Sequence, residues 1–126
     1  MSLPDRDCTP GAIVVGVTRA DICTPGYSLG LAALPKSVKK RGFASYGIGV
    51  HRRGRYEIDQ LVPVELGGSN DQANVWPELT SQFRKKDRLE NRLLTRVCDG
   101  AISLVRAQTQ IARDWLAAYH AAGLKP

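Results

Sequence analysis

The amino-acid sequence predicts a single small α+β domain. Three observations lead there. The last third of the chain carries apolar residues at helical spacing, in two blocks split by Asp99-Gly100. The middle, from Tyr56 to Pro77, alternates β-prone residues around a Gly-Gly turn. The first thirty residues are rich in Pro, Gly, Thr and Asp, a composition for irregular chain packed on a scaffold. The length of 126 residues fits one domain, and a hydrophobic fraction of 43% is too high for a disordered chain.

Within residues 1–30, Ala12 to Val17 is a short β-prone run, and Thr18 to Cys23 reads as a short helix. Pro35 opens a helix at its first turn, where its missing N–H costs nothing. That helix runs through Val38, Lys39 and Phe43 to about Tyr46; Gly42 weakens it and Gly47 ends it. A basic loop follows, with His51, Arg52, Arg53 and Arg55. From Tyr56 a strand places Tyr56, Ile58, Gln60, Val62 and Val64 on one face, and Pro63 ends regular pairing. Residues 67–71, Gly-Gly-Ser-Asn-Asp, form a turn cluster. Asn74-Val75-Trp76-Pro77 is a second short strand or a rigid extended turn. A helix from about Ser81 to Val97 has Leu89, Leu93, Leu94 and Val97 as its apolar stripe. Ser103 caps a second helix of about twenty residues, with Leu104, Ala107, Ile111, Trp115, Ala118, Tyr119 and Ala122 facing inward. The short connection makes the two an antiparallel hairpin. Both tryptophans read as core anchors.

Eighteen basic and twelve acidic residues give a net charge of +6, which favours an anionic partner, most often nucleic acid. Arg84, Arg88, Arg92 and Arg96 recur every four residues and form one slowly drifting stripe on the helix. With Lys85, Lys86, Arg52, Arg53 and Arg55 they would neutralise several DNA phosphates without sequence preference. The plainer reading of such a run is a solvated polar face. No apolar run approaches the ~18 residues of a membrane span, and a monomer is the simplest state.

Cys8, Cys23 and Cys98 form no CxxC pair, which argues against a zinc site made by cysteines. Three is odd, so at most one intramolecular bridge forms. Cys98 ends a helix, and Cys23 ends a segment that must fold back on the scaffold. A Cys23–Cys98 bridge would pin the irregular layer to the hairpin. Cys8 with Cys23 competes, since both sit in Cys-Thr-Pro-Gly fifteen residues apart; three free thiols are the third arrangement. A disulfide would favour an exported, periplasmic or secreted protein. The N-terminus shows no signal-peptide pattern, which decides little because such a segment is removed on export.

Chemistry concentrates between residues 56 and 77, where Glu57, Asp59, Gln60, the Gly-Gly turn and Asn74 fall in one compact unit. A strand-end carboxylate suits a hard cation, and metal-dependent phosphodiester cleavage needs one, together with a base to activate water. Glu57 falls on the same strand face as Asp59, and reads equally as a solvent-facing residue.

The run from Tyr56 through Glu57-Ile58-Asp59-Gln60-Leu61-Val62-Pro63-Val64-Glu65-Leu66-Gly67-Gly68-Ser69-Asn70-Asp71, closing in Asn74-Val75-Trp76-Pro77-Glu78, resembles the HNH endonuclease family. The resemblance extends to a small subgroup with Cys-Thr-Pro-Gly near the start, here Cys8 to Gly11. That subgroup also carries Lys86-Asp87-Arg88-Leu89-Glu90 on the helix, then Val97-Cys98, then Asp114-Trp115. It covers most of the chain. It implies a ββα-metal finger, two strands and a helix gripping one divalent cation, Mg²⁺ first and Mn²⁺, Ni²⁺ or Zn²⁺ as alternatives. It implies DNA phosphodiester cleavage, in which the cation polarises the phosphate and stabilises the leaving 3′ oxygen while a base deprotonates water. Asp59 falls at the metal ligand, Asn74 at the residue that orients the site, and Asp87 is the best oxygen donor left on the helix. Arg84 falls where relatives can carry His.

Position 60 departs from the family. The family's general-base His is Gln60 here, and an amide has no proton-accepting nitrogen near neutral pH. Loss of a positioned base costs about 10²–10⁴-fold. Three explanations stand: an engineered substitution that traps an inactive enzyme, a natural relative that has lost cleavage, or another base, with His51 and His120 the only imidazoles. The expectation is an HNH-type scaffold, impaired as written. The rivals are a non-catalytic nucleic-acid-binding module and a small secreted protein-interaction domain.

Overall fold

A computed structural model describes residues 3–31, 33–48 and 54–126. His51, Arg52 and Arg53, expected in the basic loop, lie outside the described residues. The α+β expectation holds. In chain order the elements are α1 (Arg19–Ile22), α2 (Lys36–Ser45), β1 (Tyr56–Gln60), β2 (Val75–Leu79), α3 (Phe83–Cys98) and α4 (Leu104–Ala121).

The strands pair antiparallel, in register from Tyr56 opposite Leu79 to Gln60 opposite Val75. Pro77 is tolerated because each strand of a two-stranded ladder has an open edge. Val62 and Val64, expected to continue the strand face, leave the ladder. Pro63 breaks it, and residues 64–66 form a 3₁₀ turn. The Gly-Gly pair then returns the chain. Gly67 has φ +84°, and a Cβ on Gly68 would lie 1.7 Å from the Val62 carbonyl oxygen, so no larger residue fits position 68.

α3 begins at Phe83 after a 3₁₀ turn over residues 80–82, and buries Lys86, Leu89, Leu93 and Val97. α4 buries Leu104, Ala107, Ile111, Trp115, Ala118 and Tyr119, the inward set expected from its spacing, with Ala122 half-buried. The Ser103 side chain caps it by accepting from the Arg106 N–H. The expected continuous helix is interrupted at Asp114, which has extended backbone (φ −164°, ψ 92°). Its carboxylate accepts from the Ala117 N–H at 2.9 Å and caps a fresh start. That kink explains the Asp before Trp115: the helix restarts there, with the indole fully buried. The core joins Trp76, Leu61, Val62 and Leu66 of the strand pair and its connecting loop to the apolar stripes of both helices.

α2 runs as expected, with Pro35 just outside its first turn and Gly47 left-handed beyond its end. Gly42 does more than weaken it. A Cβ there would lie 2.9 Å from the Ile58 Cδ1, so the missing side chain lets α2 seat directly on β1.

The Ala12–Val17 run is not a strand. Only Ile13 bridges, to Gly68, because the turn offers too short an edge to pair along. Val15 is almost fully exposed. Elsewhere the N-terminal layer is laced to β2 and the loop before it by the Thr9 hydroxyl donating to the Val75 carbonyl and the Gly11 N–H to the Ala73 carbonyl. α1 carries a capping box at Thr18 and Asp21. Cys23 and Cys98 form a disulfide across 75 residues of sequence, the expected pair, and Cys8 is a free exposed thiol. Beside the bridge, the Arg19 guanidinium donates to the carbonyls of Val97 (2.7 Å) and Cys98 (2.6 Å), closing the end of α3. No described helix is long and apolar enough to cross a membrane.

Candidate functional site

Asn74 is the hub of the loop between the strands. It is fully buried, and its amide satisfies four backbone groups. Its oxygen accepts from the N–H of Val62 (2.9 Å) and Ala12 (3.2 Å), and its nitrogen donates to the carbonyls of Val62 and Ser69, both at 2.9 Å. With every hydrogen-bonding position used, Asn74 ties the loop together and has none left for a cation.

Gln60 ends β1 against the same turn. Its Nε2 donates to the Asn70 Oδ1 at 2.8 Å and to the Ser69 carbonyl at 3.2 Å. The amide therefore supports the loop and leaves only its oxygen for other work.

Asp59, Trp76 and Glu78 lie on the hairpin face that meets α3. Lys86 enters this face from the helix, with no exposed surface. Its ammonium stands 3.0 Å from the Asp59 Oδ2 and 2.7 Å from the Glu90 Oε2, donates to the Gln60 carbonyl at 2.8 Å, and sits over the Trp76 ring. Lys86 therefore leaves the DNA-binding set: a fully buried ammonium committed to two carboxylates cannot meet a phosphate. Burial works to lower its pKa, but the carboxylates of Asp59 and Glu90 outweigh it and hold it protonated.

Glu78 completes the cluster. With all carboxylates ionised, neither of its buried oxygens has a hydrogen-bond donor. Burial first, then the neighbouring Asp59 charge, pushes it up to about 9. A proton held there has the neighbouring Asp59 carboxylate as its acceptor. Burial likewise raises Glu90, to about 7, against the pull of Lys86.

Asp87 stays on the exposed side of α3, near enough to Asp59 that burial and then the Asp59 charge raise its pKa. Two carboxylates in each other's field suit a hard cation, which would relieve their repulsion. The donors are oxygens, which fits Mg²⁺ or Mn²⁺ better than the imidazole- or thiolate-seeking metals. Among the described residues there is no cluster of three or more His, Cys, Asp or Glu arranged to hold an ion. Water or phosphate oxygens would complete the shell.

Asp59 and Gln60 open onto a cleft of about 340 Å³. Lys39 and Asn70 add polar groups to its lining, and Leu31, Leu34, Ile58 and Val64 add an apolar wall. Glu57, on the same strand, is exposed.

The arginine stripe lies on the outer face of α3, and Arg84, Arg88, Arg92 and Arg96 are all exposed. Arg88 and Lys85 stack on the Tyr119 ring at 5.6 and 5.2 Å, and Arg92 donates to the Ala122 carbonyl, so these three also brace the hairpin. Arg55 lies over the Tyr56 ring. None of these residues lines the cleft.

Comparison of the chain with family models, with curated proteins and with solved structures returned no match. Two residues of the site carry no signal in the sequence. Glu78 stands in a segment without readable periodicity, and nothing local announces its burial. Lys39 reads as an ordinary helix residue. The Lys86–Glu90 spacing of four is visible, and only its burial is not.

Proposed function

We propose that this chain is an HNH-type ββα scaffold that acts on DNA phosphodiester bonds, with cleavage impaired at position 60. The observation that supports this reading is the amide of Gln60. It stands at the strand end beside Asp59, facing the cleft, with its nitrogen held by Ser69 and Asn70. There it can accept a hydrogen bond from a water but take no proton from it.

A divalent cation, when bound, supplies polarisation of the phosphate and stabilisation of the departing 3′ oxygen. Asp59 and Asp87 would hold it. Asn74 holds the turn against which the Gln60 side chain is anchored, and the exposed arginines attract the backbone. The disulfide supports an exported protein, because such bridges persist in oxidising compartments.

A second reading, a nucleic-acid-binding module without cleavage, is favoured by the Lys86–Asp59 pair. That ammonium already neutralises much of the charge a cation would seek. One assay separates the two: plasmid nicking by the chain and by Gln60→His, with Mg²⁺, Mn²⁺ or chelator. Metal-dependent nicking by Gln60→His, at least about a hundredfold above the parent chain, is the expected result. A folded Gln60→His protein inert with every metal would overturn the cleavage reading.

A further inference from the structure

The cleft beside Asp59 and Gln60 has two unlike sides. One is polar: Asp59, Gln60, Asn70 and Lys39. The other is aliphatic, built by Leu31 and Leu34 from the chain before α2, and by Ile58 and Val64 from the finger. The seating of α2 explains how Lys39 reaches it. Lys39 and Gly42 lie three apart, on one helix face. The bare Gly42 lets that face sit on Ile58, itself part of the cleft wall. Lys39 thus stands one turn earlier, at the rim. It is exposed, and no described carboxylate lies within ion-pair distance of it. Among the described residues it is the only cation lining the cleft: Lys86 is buried behind Asp59, and the arginines of α3 lie elsewhere.

A lone cation beside an aliphatic wall matches the two halves of one nucleotide, an anionic phosphate and an apolar sugar and base. The volume, about 340 Å³, lies at the small end of the ~300–1,000 Å³ range of small-molecule sites. A duplex keeps its bases stacked inside and can offer such a wall nothing but backbone. A single strand can splay a base out and bury it.

We infer that this cleft is a one-nucleotide subsite for a single-stranded phosphodiester, with Lys39 pairing the phosphate and the Leu31–Leu34–Val64 wall taking the sugar and base. The inference rests on the phosphodiester reading above and deepens it by naming the form of the substrate. The arginine stripe then gathers nucleic acid of either form, and the cleft discriminates between them.

The test is fluorescence-anisotropy titration of the chain with a labelled twelve-nucleotide single strand and with its duplex, at fixed low salt. The variants are Lys39→Ala, Lys39→Arg, Leu34→Ser and Arg84→Glu, each checked by its melting curve. The single strand binds more tightly than the duplex. Lys39→Ala lowers single-strand affinity by about tenfold, the scale of one charge-assisted hydrogen bond, and Lys39→Arg restores most of it. Leu34→Ser lowers single-strand affinity alone, whereas Arg84→Glu weakens both. Equal affinity for the two forms, or a Lys39→Ala protein indistinguishable from the parent, overturns the subsite while the stripe's response to Arg84→Glu leaves the phosphodiester reading standing. Binding of neither form overturns both.

Discussion

At the scale of single residues, buried polar groups organise this molecule. Asn74 satisfies four backbone groups with one side chain, so truncating it would leave several buried donors and acceptors unpaired at about 1–3 kcal/mol each. Glu78 works the other way. Its folded pKa, about 9, lies above the 4.5 of the free side chain, so the folded state holds a proton the unfolded chain has released. That costs stability as pH rises from about 4.5 to 9 and costs nothing below. Glu90, at about 7, adds a loss of the same sign over a narrower window. Glu78→Gln keeps a donor for Asp59 and removes the titration. Chemical denaturation in the presence of chelator should therefore find Glu78→Gln more stable than the parent at pH 8, by more than about 1 kcal/mol, and the two nearly equal at pH 4. Equal stability of the two at pH 8 would mean that Glu78 is ionised in the folded state.

Among the elements, the helical hairpin is held at both ends. At the turn end, the last carbonyls of α3 are closed by Arg19 and the disulfide. At the far end, Arg92 reaches the carbonyl of Ala122, while Lys85 and Arg88 flank Tyr119. The disulfide also fixes one end of the segment that supplies the aliphatic wall of the cleft, and α2 fixes the other. A bridge closing 75 residues of sequence restricts the unfolded chain by about 4 kcal/mol in the chain-entropy account. Reduction, or replacing Cys23 and Cys98 with Ala, should lower Tm by roughly 15 °C. Cys8→Ser should not change it. A melting curve indifferent to dithiothreitol would show that the bridge contributes nothing to stability.

For the whole molecule, charge is segregated. The acids Asp59, Glu78 and Glu90 face inward around Lys86, while the arginines of α3 face outward. The exterior is therefore more cationic than the net +6 implies. Arg84 and Arg96 suit a test of this surface, since neither side chain is used in bracing the hairpin. Reversing both to Glu should weaken DNA binding for all sequences alike. It should also flatten the dependence of log affinity on log salt, by about one unit for each phosphate the protein no longer neutralises. An unchanged slope would mean that the stripe is a solvated face and nothing more.

The helices were legible because their signals are local. Ser103 as a cap, the Leu89–Leu93–Val97 stripe and the inward positions of α4 follow from spacing along one chain segment, and packing only had to agree with them. Pro63 marked the break after β1, although the strand stops already at Gln60, and of the three cysteine arrangements that spacing left open the fold selects Cys23–Cys98. What the sequence could not carry is which charged residues would be covered. Lys86 sits in a run of bases that reads as solvated, yet the hairpin closes over it because Asp59 and Glu90 are there to neutralise it. Glu78 is buried by the same closure. The restart of α4 at Asp114, the seating of α2 through Gly42 and the arrival of Lys39 at the cleft depend likewise on surfaces distant in sequence. Periodicity and caps are short-range properties of the chain, whereas burial of a charge is decided by what packs against it, and only the tertiary structure decides that.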